Sequence, residues 1–386
     1  MTVQIAGVAS TNFGKHPESS SRELFSEAAA SAFADAGTGP ADVEAVYVGN
    51  FMGDLIEDQG HMGALLADAA GARDAASVRI ESACASSGAA VRQATLAIEA
   101  GAYDVVLVGG TEMMYSAGTK RITDALANAA DNEYENQVGL TFPGIYAMMA
   151  RRYLREYDAS HEDLAAVAVK NHHFGVDNPI AQFREDISVA DVLEANPVAT
   201  PLGLLDCCPI SDGASAMVLV SDDVAHERDL DAPVTVRGSG QSSDSVALQD
   251  RPDVARTAAA ERAAHEAYDR ADVGPDEVDV AEVHDCFTIA EVLAIESLGF
   301  YERGAGASAA ADGETDLDGA IPVNTSGGLL AKGHPVGVTG VEQLVELTKQ
   351  LEGRHPNQVA DANVAVAHNV GGSGASAVVT VLGRGA

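Results

Sequence analysis

The chain has 386 residues, of which 46% are hydrophobic and 21% charged, so wholesale disorder is excluded and a large α/β assembly is possible. Asp and Glu number 58 against 23 Lys and Arg, and this net charge of −35 argues against nucleic-acid binding and against docking on anionic lipid. An acidic, lysine-poor composition is typical of a cytosolic protein from a high-salt cell, where screening weakens self-repulsion.

The sequence shows no signal for export or for a membrane. Its first residues lack a basic stretch followed by an apolar run, and no segment approaches ~18 consecutive apolar residues. The four cysteines are too few for a disulfide framework and are not spaced as zinc ligands. A soluble, cytoplasmic protein without a structural metal is therefore expected.

In the first half of the chain, apolar strands alternate with alanine-rich helices. The predicted strands cover residues 3–8, 43–48, a segment leading to 79, and 105–108, and the predicted helices cover 20–36, 62–70 and 85–99. The last of these strands ends in the glycine pair 109–110. Alternation of this kind predicts a sheet covered by helices on both faces.

The second half repeats this order. Its predicted strands cover residues 234–236, 278–283, 364–367 and 377–382, and its predicted helices cover 252–272, 287–298 and 338–351. The segment GPADVE at 39–44 resembles GPDEVD at 274–279, and each lies between an alanine-rich helix and a strand, which indicates an internal duplication. Residues 115–206 carry predicted helices at 142–156 and 162–171 but no clear strand. They are interpreted as an insertion over the first half that contacts substrate.

Cys84 is the first candidate for chemistry, because it follows an apparent strand and opens a helix in the segment ESACASSG. A helix N-terminus offers free amides and a positive potential, which favour a thiolate. Such a thiolate could attack a thioester and hold the acyl group, with nearby amides receiving the oxyanion. A buried structural cysteine is the alternative interpretation.

Two further segments carry histidines in defined settings. His334 lies between Gly333 and Pro335 in the stretch NTSGGLLAKGHPVGVTG, a rigid frame that suits a positioned base or hydrogen-bond donor. This glycine pattern matches neither a P-loop nor a dinucleotide fingerprint. His284 and Cys286 are two residues apart at a strand end, so in an extended chain they face the same way and can act as an acid–base pair. A chance polar strand end is the alternative there.

The remaining candidates are weaker. Residues 367–374 run from a strand end into glycines whose amides could point inward. The adjacent Cys207 and Cys208 are interpreted as packing residues, because a free cysteine usually behaves as a small hydrophobic group. His172 and His173 would point about 100° apart on a helix, and no third ligand accompanies them, so no metal site is predicted.

Three blocks, CASSG at 84–88, HDCF at 284–287 and GHPVG at 333–337, occur in this order and together resemble the thiolase superfamily. The likeness extends over nearly the whole chain. The HDCF block resembles the sterol-carrier-protein-2-type and archaeal acetoacetyl-CoA thiolases, in which it stands where other thiolases have NEAF. The resemblance implies an α/β thiolase fold with two duplicated βαβαβαββ halves in a layered α-β-α-β-α arrangement. The halves would be formed by residues 1–114 with 207–232 and by 233–386, and a loop domain would be inserted at 115–206.

The same resemblance implies a role for each site residue. Cys84 would be the nucleophile that accepts the acyl group, and His334 would activate it and help bind the thioester oxygen of the second substrate. His284 would complete that oxyanion site, and Cys286 would remove the α-proton. Most thiolases carry another catalytic cysteine in the last glycine-rich loop, but this chain has HNVG there, which leaves Cys286 as the remaining candidate base. Gly371 could give an amide to the acyl-enzyme oxyanion.

The implied function is a reversible acetyl-CoA C-acetyltransferase that condenses two acetyl-CoA into acetoacetyl-CoA and CoA through an acyl-cysteine, with no cofactor. Three alternatives stay open: a degradative thiolase for longer 3-ketoacyl-CoA chains, a ketoacyl synthase III-like enzyme in which His368 and Asn369 join Cys84, and a silent scaffold subunit. Relatives of this type also imply a homodimer or tetramer. They further imply association with hydroxymethylglutaryl-CoA synthase and a small zinc-ribbon/OB-fold protein.

Overall fold

The computed structural model describes residues 1–385 and shows one large mixed sheet with helices packed on it. The strands are β1 (Val3–Ser10), β2 (Ala45–Gly49), β3 (Ala76–Ile80), β4 (Val105–Glu112), β5 (Pro197–Ala199), β6 (Leu202–Gly203), β7 (Gly213–Ser221), β8 (Val234–Ser243), β9 (Val280–Val283), β10 (Val364–Gly371) and β11 (Ser376–Arg384). The helices are α1 (Ser21–Ala36), α2 (Gly53–Ile56), α3 (Met62–Ala69), α4 (Ser86–Glu99), α5 (Thr119–Leu126), α6 (Phe142–Glu156), α7 (His161–Asp177), α8 (Val189–Glu194), α9 (Asp222–Glu227), α10 (Ala258–Ala271), α11 (Thr288–Ser297), α12 (Gly306–Ala311) and α13 (Thr339–Glu352). Over residues 1–385, no helix combines the length and the apolar character needed to cross a lipid bilayer.

The two halves of the chain meet in the middle of the sheet. Its nine strands follow the order β3-β2-β4-β7-β1-β8-β11-β10-β9, and β5 and β6 form a separate hairpin. The junction is the antiparallel pairing of residues 3–5 in β1 with residues 234–236 in β8. The five strands on one side belong to residues 3–221 and the four on the other to residues 234–384. The sequence analysis did not predict β7, which lies between β4 and β1.

Buried apolar side chains show how the helices are layered. α1 and α3 cover the outer face of the first half with side chains such as Phe25 and Leu66. α10 and α11 cover the outer face of the second half, where Ile295 is buried. α4 and α13 pack against each other and against strands from both halves through residues that include Ile98 and Leu344. The predicted α-β-α-β-α layering is confirmed, with α4 and α13 as its central layer.

The segment 115–206 is mainly helical and carries α5 to α8. The prediction that it contains no strand was wrong, because β5 and β6 pair there, although both are too short to show a period-two pattern in the sequence. Its long helices α6 and α7 pack on α11 through residues such as Tyr153, Val167 and Val292. These helices therefore lie against the helix that follows Cys286, in the second half. Helix α5 of the same segment packs on the first half, where Ile122 shares a buried cluster with Phe51 and Met52.

Two element boundaries differ from the prediction for identifiable reasons. The glycine pair 109–110 does not end β4, which continues beyond it. A Cβ at position 109 would overlap the Phe25 ring, so this glycine allows close packing of α1 on the strand. α10 begins at Ala258 and not at 252, because the buried Arg251 donates a hydrogen bond to the Ser373 carbonyl at 2.5 Å and holds the preceding chain in a loop.

The N-termini of α4 and α13 touch at the boundary between the halves. The backbone N–H of Val341 donates to Ser87 Oγ at 3.0 Å. Gly88 and Gly340 approach so closely that a Cβ on Gly340 would overlap the backbone of Gly88 and the side chain of Asn369. This crossing therefore depends on the absence of a side chain at Gly340, and a Cβ on Gly88 would overlap the Asn369 side chain.

We expect Gly340→Ala to lower the free energy of unfolding by about 1–3 kcal/mol, the usual cost of overpacking a core. Gly144→Ala is the matched control, since Gly144 also lies in the first turn of a helix but the nearest atom to its added Cβ is Thr141 Oγ1 at 3.7 Å. That control should be neutral or stabilise by up to ~1 kcal/mol. Urea unfolding in high salt measures both, and equal effects would contradict the close crossing.

Candidate active site

Cys84 lies in a tight turn between β3 and α4. Ala83, just before it, has a φ of +49°, a left-handed conformation that costs a non-glycine residue about 1–2 kcal/mol. The Ser86 side chain holds this turn, because its Oγ accepts from the Ser82 N–H at 3.0 Å and donates to the Ala83 carbonyl at 2.5 Å. The turn places Cys84 on the wall of a cavity, directly before a helix as the sequence predicts.

Two histidines from the second half converge on Cys84. One ring nitrogen of His284, one ring nitrogen of His334 and the Sγ of Cys84 lie within 4.8 Å of one another, and all three residues are buried. The two imidazole ring centroids are 5.0 Å apart, and the rings are nearly perpendicular at 82°. Three of the predicted site residues are thus brought together across the boundary between the halves.

Hydrogen bonds on two sides fix the position of His334. Its backbone N–H donates to Ser211 Oγ at 3.1 Å, and its Nδ1 lies 2.7 Å from Thr339 Oγ1. Nε2 is then the ring nitrogen available for chemistry. The sequence analysis missed Thr339, although it lies five positions after His334 in the same glycine-rich stretch.

Two buried carboxylates hold the chain around His334. Asp285 accepts backbone N–H bonds from Leu329 at 2.7 Å and Leu330 at 3.2 Å, in the turn that precedes the histidine. Glu112, from the first half, accepts the Gly337 N–H at 2.9 Å on the other side. The loop that carries His334 is therefore anchored to both halves of the chain.

His284 has a polar neighbour on its Nδ1 side. The side-chain amide nitrogen of Asn369 lies 3.3 Å from His284 Nδ1 and donates to the Cys84 carbonyl at 3.1 Å. The backbone N–H of His284 points to His368 Nδ1 at 3.5 Å. His368 therefore lies against His284 and outside the cluster around the Cys84 sulfur, in contrast to the set that a ketoacyl synthase III-like site would require.

Cys286 reaches the same cavity from the start of α11. The adjacent Phe287 stacks on Tyr146 of α6 with ring centroids 4.5 Å apart. Tyr146 also donates its hydroxyl hydrogen to the Gly372 carbonyl at 3.1 Å, and it lines the cavity together with Cys286. Sequence reasoning missed Tyr146, because only the fold brings α6 against the HDCF block.

The cavity has a volume of about 360 Å³ and mostly apolar walls. Its lining includes both Cys84 and Cys286, together with His334. The remaining walls are formed by Met114, Thr123, Leu126, Ala129, Thr141, Phe142, Pro143, Tyr146, Val198, Cys207, Cys208, Pro209, Ile210, Phe287, Val336 and Gly372. Two thiols and an imidazole thus share one space, in which a developing charge is poorly solvated by water.

Burial keeps the resting groups of the site neutral. It raises the pKa of the Cys84 thiol to about 12, although the Gly372 amide opposes this shift. Burial lowers the pKa of His334 to about 3 and that of His284 well below its ordinary value. The pKa of Cys286 is raised well above its ordinary value by burial, with Tyr146 opposing. Desolvation thus opposes the thiolate that the helix N-terminus would favour at Cys84, and that expectation stays a prediction.

The amide that faces the Cys84 sulfur belongs to Gly372. The sequence analysis named Gly371 as a residue that could supply such an amide. Gly371 is the last residue of β10 and pairs with Ser376 of β11. The strand runs further than predicted, so the turn that presents an amide to the site begins one residue later. The Cys84 backbone N–H also faces its own sulfur, so two amides are available near an acyl group carried there.

Cys84, His284 and His334 could also ligate a metal ion. They form the one grouping of three or more such side chains with ligand atoms this close that the described residues contain. One thiolate and two imidazoles are a ligand set that zinc accepts. The sequence-based expectation that the protein needs no metal therefore stays a prediction. It is tested below by removing metal from the protein with a chelator.

Comparison with protein families gives a match in each half of the chain. The model "Thiolase, N-terminal domain" matches residues 3–223, and "Thiolase C-terminal domain-like" matches residues 240–384. Among curated proteins, an acetyl-CoA acetyltransferase of Methanothermobacter thermautotrophicus is 45% identical over 383 residues, with 99% of each chain covered. An acetyl-CoA acetyltransferase of Methanocaldococcus jannaschii is 40% identical over 389 residues, with 98% of each chain covered.

The fold is also similar to solved structures. One, described as "Ltp2-ChsH2(DUF35) aldolase", superimposes with a TM-score of 0.85 at 28% identity, covering 99% of this chain and 98% of the other. The likeness therefore spans the sheet, the central helices and the inserted segment together.

We expect His284, His334 and His368 to stay neutral at pH 5, because burial lowers all three pKa values, those of His334 and His368 to about 3 and about 4. His161 should be charged at that pH, since its hydrogen bond to Asp206 raises its pKa. NMR of protein labelled with ¹⁵N-histidine, with resonances assigned by single His→Gln variants, measures each titration.

The lowered pKa values of these three histidines also predict how the free energy of unfolding changes with pH. Below about pH 6.5, histidines in the unfolded chain bind protons, whereas the three buried histidines of the folded site stay neutral. The unfolded state therefore binds more protons, so each of these histidines lowers the free energy of unfolding as the pH falls. Titration of His334 near pH 6.5 in the folded protein would contradict the buried, neutral site.

Proposed function

The chain belongs to the thiolase family and is an acyltransferase, and we propose that it joins two acetyl-CoA molecules into acetoacetyl-CoA and free CoA. The observation that carries this proposal is the shared apolar cavity, into which Cys84 and Cys286 open beside His334. One sulfur can hold an acetyl group while the other removes a proton from a second acetyl-CoA. The archaeal relatives named above carry the same activity in their names.

The first half-reaction forms an acetyl thioester on Cys84. The thiol attacks the carbonyl carbon of acetyl-CoA while its proton passes to His334, and the amides of Cys84 and Gly372 support the oxyanion. The bond between the acetyl carbon and the CoA sulfur then breaks. The leaving CoA takes the proton of Cys286. The products are acetyl-Cys84, free CoA, a His334 imidazolium and a Cys286 thiolate.

This route explains how a thiol with a raised pKa becomes a base. Cys286 would not ionise alone in the buried cavity, but it loses its proton to the leaving CoA. The thiolate then remains next to the Tyr146 hydroxyl and faces the position of the second acetyl-CoA. The positive charge left on His334 offsets the negative charge within the same cavity.

The second half-reaction forms the carbon–carbon bond. Cys286 takes the α-proton of the second acetyl-CoA, and the imidazoles of His284 and His334 face the enolate oxygen. Donors placed for such a charge typically contribute on the order of 3 kcal/mol each. The enolate carbon attacks the acetyl group, Cys84 leaves as a thiolate, and it regains its proton from His334. No metal or cofactor is needed to balance these steps.

The substituted cysteines distinguish the two half-reactions. With Cys84→Ala, we expect no acetyl adduct and no turnover. With Cys286→Ala, the adduct should still form, because a CoA thiolate can leave unaided, but condensation should fall by about 10²–10⁴-fold. Mass spectrometry of the intact protein detects the adduct, and a coupled assay measures acetoacetyl-CoA. The same assay on the wild type, before and after dialysis against a chelator, tests for a required metal.

Cys207→Ala is the matched control, since Cys207 also lines the cavity but is not part of the proposed chemistry. It should retain both half-reactions. Full condensation activity in Cys286→Ala would refute the assigned base. Loss of wild-type activity on chelation, restored by zinc, would show that the cluster of Cys84, His284 and His334 works through a metal.

We further propose that the protein is cytoplasmic and acts as a homodimer or tetramer. Its site needs reduced thiols, and all four cysteines are free. The strand β3 forms one edge of the sheet, and Val78 on it is 43% exposed. An open edge with an exposed apolar side chain favours pairing with a second copy. Because β3 leads directly into the Cys84 turn, such pairing would also steady the nucleophile.

Association with other proteins is part of the same proposal. The similar structure described as "Ltp2-ChsH2(DUF35) aldolase" joins two protein names, which supports a protein partner for this chain. We propose hydroxymethylglutaryl-CoA synthase, which would consume acetoacetyl-CoA, and a small zinc-ribbon/OB-fold protein. Affinity purification from a native lysate in high salt should recover both with the tagged chain. Recovery of the chain alone, fully active and in a single oligomeric state, would contradict the association.

A further inference from the structure

Asn369 contacts the nucleophile segment and one catalytic imidazole at once. It lies in β10 and is 2% exposed. Its side-chain nitrogen is 3.1 Å from the Cys84 carbonyl oxygen and 3.3 Å from His284 Nδ1. Only the NH₂ end of the amide can face a carbonyl, since a reversed amide would oppose two oxygens. The Cys84 carbonyl therefore fixes which way Asn369 is turned.

This orientation determines where His284 carries its proton. One hydrogen of the Asn369 NH₂ group bonds to the Cys84 carbonyl, and the other points at His284 Nδ1. Nδ1 must then be the acceptor, so in a neutral imidazole the hydrogen is on Nε2. His284 Nε2 is buried and has no partner among the described residues. It is a free donor on the ring that lies in the same cluster as the Cys84 sulfur.

His334 is held in the opposite tautomer. Thr339 Oγ1 lies 2.7 Å from His334 Nδ1, and its own hydrogen is directed to the Pro335 carbonyl at 3.4 Å. Nδ1 of His334 is therefore the donor in the first of these bonds, and its Nε2 is left as an acceptor. One imidazole thus offers a hydrogen to the site while the other can take one.

We propose that Asn369 is a positioning residue that fixes His284 as a hydrogen-bond donor to the enolate oxygen. In the resting site His284 then donates a hydrogen through Nε2, whereas His334 accepts one through Nε2. The inference rests on the proposed condensation. Asn369 never touches substrate in this account, and it acts through the ring of His284. The space around it supports the assignment, because a Cβ on Gly88 or on Gly340 would overlap its side chain. The two glycines leave room for an amide of this length.

The main test is Asn369→Asp, which keeps the shape but replaces the donor with a carboxylate. The carboxylate should draw the hydrogen of neutral His284 to Nδ1 and remove the donor at Nε2. We expect acetyl-Cys84 to form while condensation falls by ~10²–10³-fold at pH 8, the usual effect of losing one oxyanion donor. The ¹⁵N spectrum of His284 should change from the Nε2–H to the Nδ1–H tautomer.

The pH profile adds a readout that a structural role would not produce. The introduced carboxylate raises the affinity of His284 for a second proton, and an imidazolium again has a hydrogen on Nε2. The ratio of variant to wild-type condensation should therefore rise as the pH falls. The other titratable groups against this ring, His334, His368 and Cys84, are unchanged in the comparison.

Two further variants keep the result decisive. Asn369→Ala removes the donor without adding charge, so it should mix the two His284 tautomers and reduce condensation less than Asn369→Asp. Asn357→Asp is the control, since the Asn357 NH₂ group also bonds to two acceptors, the carbonyls of Phe174 and Thr325, away from the cysteines. It should lower stability without separating the half-reactions.

Each outcome has a distinct meaning. If Asn369→Asp reduces acetylation and condensation equally, or leaves the His284 tautomer unchanged, the positioning role is refuted. If the wild type forms no acetyl-Cys84, the proposed function itself fails, whatever Asn369 does. A wild-type His284 with its hydrogen on Nδ1 would overturn the inference before any variant is made.

Discussion

The close crossing of α4 and α13 is the constraint on which the active site depends. Cys84 precedes α4 in the first half, and His334 precedes α13 in the second, so the two residues meet only if the helix N-termini touch. Contact at this distance leaves no space for a Cβ at Gly340, and the Asn369 side chain leaves none at Gly88. The duplicated halves therefore form one site because these two glycines let the first turns of the central helices pack closely together.

The same packing buries the thiol and the imidazoles of the site, and this burial determines the electrostatics. A buried thiol and three buried imidazoles are all most stable in their neutral forms, as the directions of their pKa shifts show. Charge arises only when substrate brings a carbonyl group and a leaving thiolate into the cavity. A low-polarity cavity strengthens each hydrogen bond to that charge, so few donors are required, provided that their tautomers and orientations are fixed in advance.

The sequence predicts the parts of the site that lie in short local motifs. Cys84, His284, Cys286 and His334 each stand in a recognisable block, and the alternation of strands and helices predicts the layers. Tyr146 could not be found in this way, because α6 reaches the site only through the fold. The sequence analysis named Asn369 only as a possible partner of Cys84 in a ketoacyl synthase III-like set, and its contact with His284 is seen only in the folded chain. Gly372 was missed because β10 continues to Gly371, beyond the apolar residues 364–367 from which the strand was predicted, so the turn after it begins later than expected. The strand β7 was missed because SDGASAMVLV starts as a polar loop and only its pairing with β1 and β4 shows where the strand begins.

A buried ion pair between Lys332 and Glu342 helps to fix the loop that carries His334. Lys332 is fully buried, in a chain with few lysines, and its Nζ lies 2.5 Å from Glu342 Oε2 and 2.6 Å from Ser326 Oγ. Burial alone would lower its pKa, but the surrounding carboxylates outweigh this and raise it. An apolar side chain would fill the same space at less desolvation cost. A charged pair, however, is satisfied only in one arrangement, and so it ties the loop to α13. With Glu112 and Asp285 holding the adjacent backbone, the imidazole of His334 has little freedom to move away as charge develops beside it. A loop held in this way needs less reorganisation as charge develops than a flexible loop would.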